Sequence, residues 1–178
     1  MRSQALISEV VLNDNSIVAA LFTRGRDEGF HWMLALPGAG EEPGADLKLH
    51  VNNPRGRWQF QAGDHNLPQA HVSGLEDFPA ELRMRLGSRG MATPAQIRSI
   101  VEGIAMDVVP EVDRRREEKF TCRVWFREAI RRLVENNIIH CLDVDALEAE
   151  LISLSSPSAE GVLAGTGKYT IHIAASCF

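Results

Sequence analysis

The sequence predicts an α+β fold, an antiparallel sheet from the N-terminal half packed against about three helices from the C-terminal half. Three observations predict it. Apolar and polar residues alternate with period two in several segments between residues 5 and 61. Apolar residues then recur at helical spacing between residues 97 and 152, and Thr93, Thr121 and Asp143 stand where helix N-caps belong. A chain of 178 residues, 44% apolar and 24% charged, is the size of one ordinary domain and can bury a core without staples, so residues 1–178 are read as a single domain.

The strands come first. Ala5 to Leu12 alternates, Asn13-Asp14-Asn15 supplies turn chemistry, and Ser16 to Thr23 is rich in Ile, Val, Ala and Leu, which together predict a hairpin. Phe30 to Leu36 is a compact apolar strand stopped by Pro37-Gly38. Leu47 to Val51 and Arg57 to Gln61 alternate again, as expected of a meander with one wet face and one buried face. Between Gly63 and Arg89 prolines and glycines interrupt the pattern, leaving His71 to Ser73 or Leu82 to Leu86 as short strands.

The helices follow. Thr93-Pro94-Ala95-Gln96 has the cap, the proline and the glutamine of a capping box, and Ile97, Ile100, Val101 and Ile104 carry that helix to about Met106. Thr121 caps a second, Cys122 to about Asn137, with Cys122, Phe126, Ala129, Ile130, Leu133 and Val134 inward and Arg123, Arg127, Glu128, Arg131, Arg132 and Glu135 outward. Asp143 caps a third, a Ser, Gly and Pro loop spans Ser153 to Gly167, and Lys168 to Ala174 forms a last strand.

Charge and cysteine content narrow the function classes. A net charge of −5 argues against general affinity for nucleic acid. The densest charge run, Glu111 to Lys119, holds four acids and four bases and reads as a solvated connector. No segment approaches the roughly 18 uncharged apolar residues of a membrane span, and Met1 to Leu12 lacks the apolar run of a signal peptide. Cys122, Cys141 and Cys177 are odd in number and widely spaced, the pattern of a reducing compartment, so the expected location is cytoplasmic. Metal-ligand spacing is missing around His140-Cys141, and Gly38-x-Gly40 runs into Glu41-Glu42, which repels phosphate. Neither a metal nor a cofactor is expected, and the partner class is a small-molecule substrate; the oligomeric state is not legible.

Cys122 is the first candidate for chemistry. The start of a helix offers unpaired N–H groups and partial positive charge, which favour thiolate over thiol; the same inward position equally suits a core cysteine. His31 interrupts an apolar strand, and an imidazole there needs partners for its nitrogens. With that strand beneath the Cys122 helix, His31 would take the thiol proton. His50, or Gln59 on the following strand, would orient His31. Trp32, Trp58 and Trp125, with Phe60 and Phe126, would line an apolar substrate pocket.

His31 in Phe30-His31-Trp32, His50 in Leu49-His50-Val51 and Cys122 in Thr121-Cys122-Arg123-Val124-Trp125 follow one another in an order that resembles the circularly permuted papain-like fold of NlpC-type peptidases and the lecithin:retinol acyltransferase group. His31-Trp32, Cys122-Arg123-x-Trp125 and Asn136-Asn137-Ile138-Ile139 are also similar to a family of small fungal proteins, some associated with secondary-metabolite gene clusters. That likeness spans roughly Phe30 to Ile139; where the fungal family has a glycine-rich approach to the cysteine, this chain has Glu117-Glu118-Lys119-Phe120. The resemblance implies cysteine-histidine acyl transfer or hydrolysis: Cys122 attacks a carbonyl, His31 relays the proton, and backbone N–H groups hold the oxyanion. Two other readings remain open. One is a cofactor-free cyclase or isomerase using His31 or His50 as acid or base; the other is a noncatalytic interaction module.

Overall fold

Period-two alternation in the first half builds one sheet, and helical periodicity in the second half covers one of its faces. The computed structural model describes residues 14–24, 29–65, 71–72, 75–79, 82–163 and 170–177. The strand expected over Ala5 to Leu12 lies outside them. Strands β1 (Ser16–Thr23), β2 (Phe30–Leu36), β3 (Asp46–Asn52) and β4 (Gln59–His65) form the expected antiparallel meander. Strands β5 (His71–Val72) and β6 (Leu75–Pro79) pair with each other in a separate small sheet. Strand β7 (Leu82–Ser88) pairs with β1, and β8 (Thr170–Ile173) joins β7 in parallel, giving the order β4-β3-β2-β1-β7-β8.

The pleat sorts the side chains of β2. Trp32, Leu34 and Leu36 join Ile17, Ala19, Leu21, Leu49 and Val51 in the core beneath the helices. Met33 and Ala35 point the other way, into a second buried cluster with Val18, Ala20 and Phe22. Both faces of the central strands are therefore buried, which is why β1 and β2 read as near-continuous apolar runs.

Helix α1 (Pro94–Glu102) has its capping box: the Gln96 amide donates to Thr93 Oγ1 at 3.2 Å and the Thr93 amide to Gln96 Oε1 at 2.8 Å. It stops short of Met106 because Gly103, a poor helix former, takes the C-cap. Helix α2 (Cys122–Glu135) lies on β2 and β3 and ends in a Schellman turn, with Asn137 at φ 55° and the Ile138 amide donating to the Leu133 carbonyl at 2.9 Å. Helix α3 (Val144–Leu163) is capped by Asp143, whose Oδ1 accepts from the Asp145 and Ala146 amides at 2.8 and 3.0 Å. It runs through Pro157, so the loop expected from Ser153 is helical as far as Leu163. Among the described residues no helix is long and apolar enough to cross a membrane.

Two expectations from charge and cysteine pattern are corrected. Arg127, placed on the outer face of α2 by periodicity, is 1% exposed and pairs with Asp113, Asp145 and Glu148. Asp113 is itself fully buried and also accepts from Arg131 at 2.7 Å, so the connector before α2 is solvated only in part. The network clamps that connector and α3 to α2. In addition, Cys141 and Cys177 form a disulfide across an isolated antiparallel bridge. Distance in sequence hid their proximity, and the cysteine argument for a reducing compartment falls with it.

Removing one partner from a buried ionic cluster leaves its counter-charges without compensation. Arg127→Met is expected to lower the unfolding free energy by about 3–5 kcal/mol, measured by urea denaturation at neutral pH. A loss below about 1 kcal/mol would mean that Asp113, paired with Arg131, and Glu148, paired with Arg116 at 3.1 Å, are adequately neutralised without Arg127.

Candidate functional site

Cys122 opens α2, as the sequence suggests. Thr121 caps the helix, accepting from the Val124 amide at 3.3 Å, and the sulfur sits over the first turn against the backbone of β2. The thiol donates to the Phe30 carbonyl at 3.9 Å. The thiol is 3% exposed, and burial pushes its pKa up; the Trp32 amide, the Arg24 guanidinium and the amides of residues 122 and 123 pull the other way without cancelling the effect of burial. The free thiol is therefore protonated at neutral pH.

His31 and His50 lie on the opposite face of the sheet. In β2 the residues flanking His31 turn toward the helices, so its ring turns away with Met33; His50 is paired in register with Met33 and points the same way. Their rings meet edge to face, with His31 Nε2 and His50 Nδ1 2.8 Å apart. One of these two nitrogens donates and the other accepts. Among the described residues His31 Nδ1 has no hydrogen-bond partner. Burial first, then the positive charge of His50, Arg24 and Lys48, lowers the His31 pKa to about 3, so the ring is neutral at ordinary pH.

The sheet backbone consequently separates the thiol from the imidazole that was expected to relay its proton. The strand passes beneath Cys122 as anticipated; the side chain leaves on the far side. Gln59 is exposed on β4, where it pairs in register with Asn52. Nor do the tryptophans enclose one pocket. Trp32 stacks on Phe126 at 5.1 Å, Trp125 on Phe60 at 6.1 Å, and Trp58 meets Phe120 edge-on at 5.7 Å. Trp125 is fully buried and donates to the Val101 carbonyl at 3.4 Å, a core position with its polar atom satisfied.

A cleft of about 350 Å³ opens at the start of α2, lined by Arg24, Phe30, Trp32, Cys122, Arg123 and Ile152. It brings together a thiol, two guanidinium side chains, two aromatic rings and a helix N-terminus. Arg123 is partly neutralised by Glu117 at 2.6 Å and Glu148 at 3.5 Å. Arg24 follows β1, in a stretch that reads as a plain polar bend; only its spatial neighbour Cys122 gives it interest. A larger groove of about 680 Å³ lies at the other end of α2. Three of its polar side chains are committed elsewhere, Gln96 to the capping box, Asn136 to the Arg132 carbonyl and Arg89 to the Asp14 carbonyl, and it lacks the thiol and helix N-terminus of the smaller cleft, which is the better candidate.

Comparison with known protein families, with curated proteins and with solved structures finds no match to this chain.

The histidine pair carries a pH signature. Since the folded-state pKa of His31 lies below its unfolded value of 6.5, the unfolded chain takes up the proton first as pH falls. The stability associated with the neutral ring is complete above about pH 6.5 and is lost progressively toward pH 3. Urea denaturation between pH 7 and 4 is expected to show a steeper loss in the wild type than in His31→Leu, by up to about 1.4 kcal/mol per pH unit. Parallel curves would show that His31 can charge in place.

Proposed function

We propose that this protein binds a small, partly apolar anion, such as a carboxylate or an acyl compound bearing one, in the cleft at the start of α2. The observation that carries the reading is the convergence of Arg24, Arg123 and the first amides of α2 on a space walled by Phe30 and Trp32. Guanidinium groups and helix N-terminal amides favour an anionic head, and the two rings with Ile152 favour an apolar body.

Cysteine-histidine acyl transfer is less well supported by this geometry. Nucleophilic attack needs a base to take the thiol proton, burial keeps that proton on Cys122, and His31 is across the sheet. Acyl transfer remains compatible with the cleft only where the ligand supplies the base. The acid-base reading through His31 fares similarly: a ring whose pKa is lowered to about 3 is a poor proton donor at neutral pH.

Paired alkylating agents test the proposal without knowledge of the natural ligand. In low salt, the ratio of iodoacetate to iodoacetamide reactivity at Cys122 is expected to exceed that of the urea-unfolded chain by roughly 3- to 10-fold. The excess is expected to shrink in 1 M salt, where the Debye length is about 3 Å, and in Arg24→Gln. A ratio indifferent to both salt and Arg24 would remove the anion-selective cleft.

A further inference from the structure

The last described residues are fixed to the protein in an unusual way. Strand β8 stands at the edge of the sheet, bonded to β7 alone. Beyond it, the Ala174 amide donates to the Arg85 carbonyl at 3.0 Å, the Ala175 and Ser176 amides donate to the Glu150 carboxylate at 2.9 and 3.3 Å, and Leu142 donates to the Ser176 carbonyl at 3.4 Å. Among the described side chains of residues 172–177 only Ala174 and Cys177 are buried, while Ile173 is 59% exposed. An alanine contributes little burial, and each hydrogen bond in partly wetted surroundings adds only modestly to stability. The cross-link from Cys177 to Cys141, closing 36 residues, is thus the strongest single restraint on this segment, comparable with its hydrogen bonds taken together.

We propose that the Cys141–Cys177 disulfide is a redox-operated clasp, whose reduction by a dithiol releases β8 and residues 174–177 while the helix-covered sheet stays folded. The body has its own means of cohesion, the Arg127 ion network and an apolar core between the helices and the sheet to which the segment after β8 contributes only Ala174 and Cys177. Both cysteines are buried, Cys141 at 8% and Cys177 at 1% exposed, so attack follows local opening of the segment. The dithiol's thiolate attacks Cys141 sulfur, the S–S bond breaks, and Cys177 leaves as a thiolate and takes up a proton. The second thiol of the reagent then displaces Cys141 from the mixed disulfide. Two electrons and two protons pass to the protein, and the reagent becomes a disulfide. Release leaves β7 as the sheet edge, with main-chain groups available for pairing.

Amide hydrogen exchange on the full chain, read by mass spectrometry, tests the clasp. Dithiothreitol, or the substitution Cys177→Ser, is expected to speed exchange in peptides covering residues 170–177 by roughly tenfold or more, with peptides from β2, β3 and α2 unchanged. Oxidised glutathione is expected to restore protection in the wild type and not in Cys177→Ser. Three results overturn the proposal: equal exchange of residues 170–177 in both redox states, loss of protection throughout the chain on reduction, or three free thiols after equilibration with oxidised glutathione.

Discussion

The pleat of β2 is the constraint on which the chemistry of this protein depends. Successive residues of a strand leave on opposite faces, so a strand that sends Trp32 and Leu34 into the core under α2 must send His31 and Met33 away from it. No rotamer change carries the His31 ring through the sheet. The burial of both faces holds the register in place, because a slip of one residue would exchange the two apolar sets and drive His31 into the core beneath α2. Position along the chain brings Cys122 and His31 near the same point of the sheet, and the pleat puts the sheet between them.

From that separation two distinct environments follow. On the helical side, the amides at the start of α2 and the guanidinium of Arg24 favour negative charge, while burial disfavours it on the sulfur itself. An anion that enters from solvent and keeps part of its hydration is better suited to the cleft than a thiolate that must form inside it. On the other side, His31 and His50 share one hydrogen bond in buried surroundings, with Lys48 on the same face also held below its usual pKa by burial. For His31 the neutral ring is the form such a site accepts, which makes it a structural element near neutral pH and a point of weakness in acid.

Much of the fold was legible from the sequence because its signals are local. The capping box at Thr93, the cap at Thr121, the proline-glycine stop after Leu36 and the alternation of Leu47 to Val51 each state their structure within a few residues. Signals failed where tertiary partners decide. Arg127 falls on the outer face by helical period, and only Asp113 and Glu148, 14 and 21 positions away, make burial tolerable. Cys141 and Cys177 look unpaired until α3 turns the chain back. For the site, the elements bearing His31 and Cys122 were legible, whereas the facing of their side chains depends on which face α2 covers, and no local pattern encodes that. Arg24, adjacent to the thiol in space and 98 residues before it in sequence, carries no motif at all.

The separation of thiol and imidazole is open to one direct measurement, the pH dependence of Cys122 alkylation by iodoacetamide in the wild type and in His31→Leu. Two faces of one sheet predict a single rise in rate at alkaline pH, above the ordinary thiol range, with the same shape in both proteins. An additional inflection in the imidazole range, lost on substitution of His31, would contradict the account by placing the two groups in one proton-transfer unit.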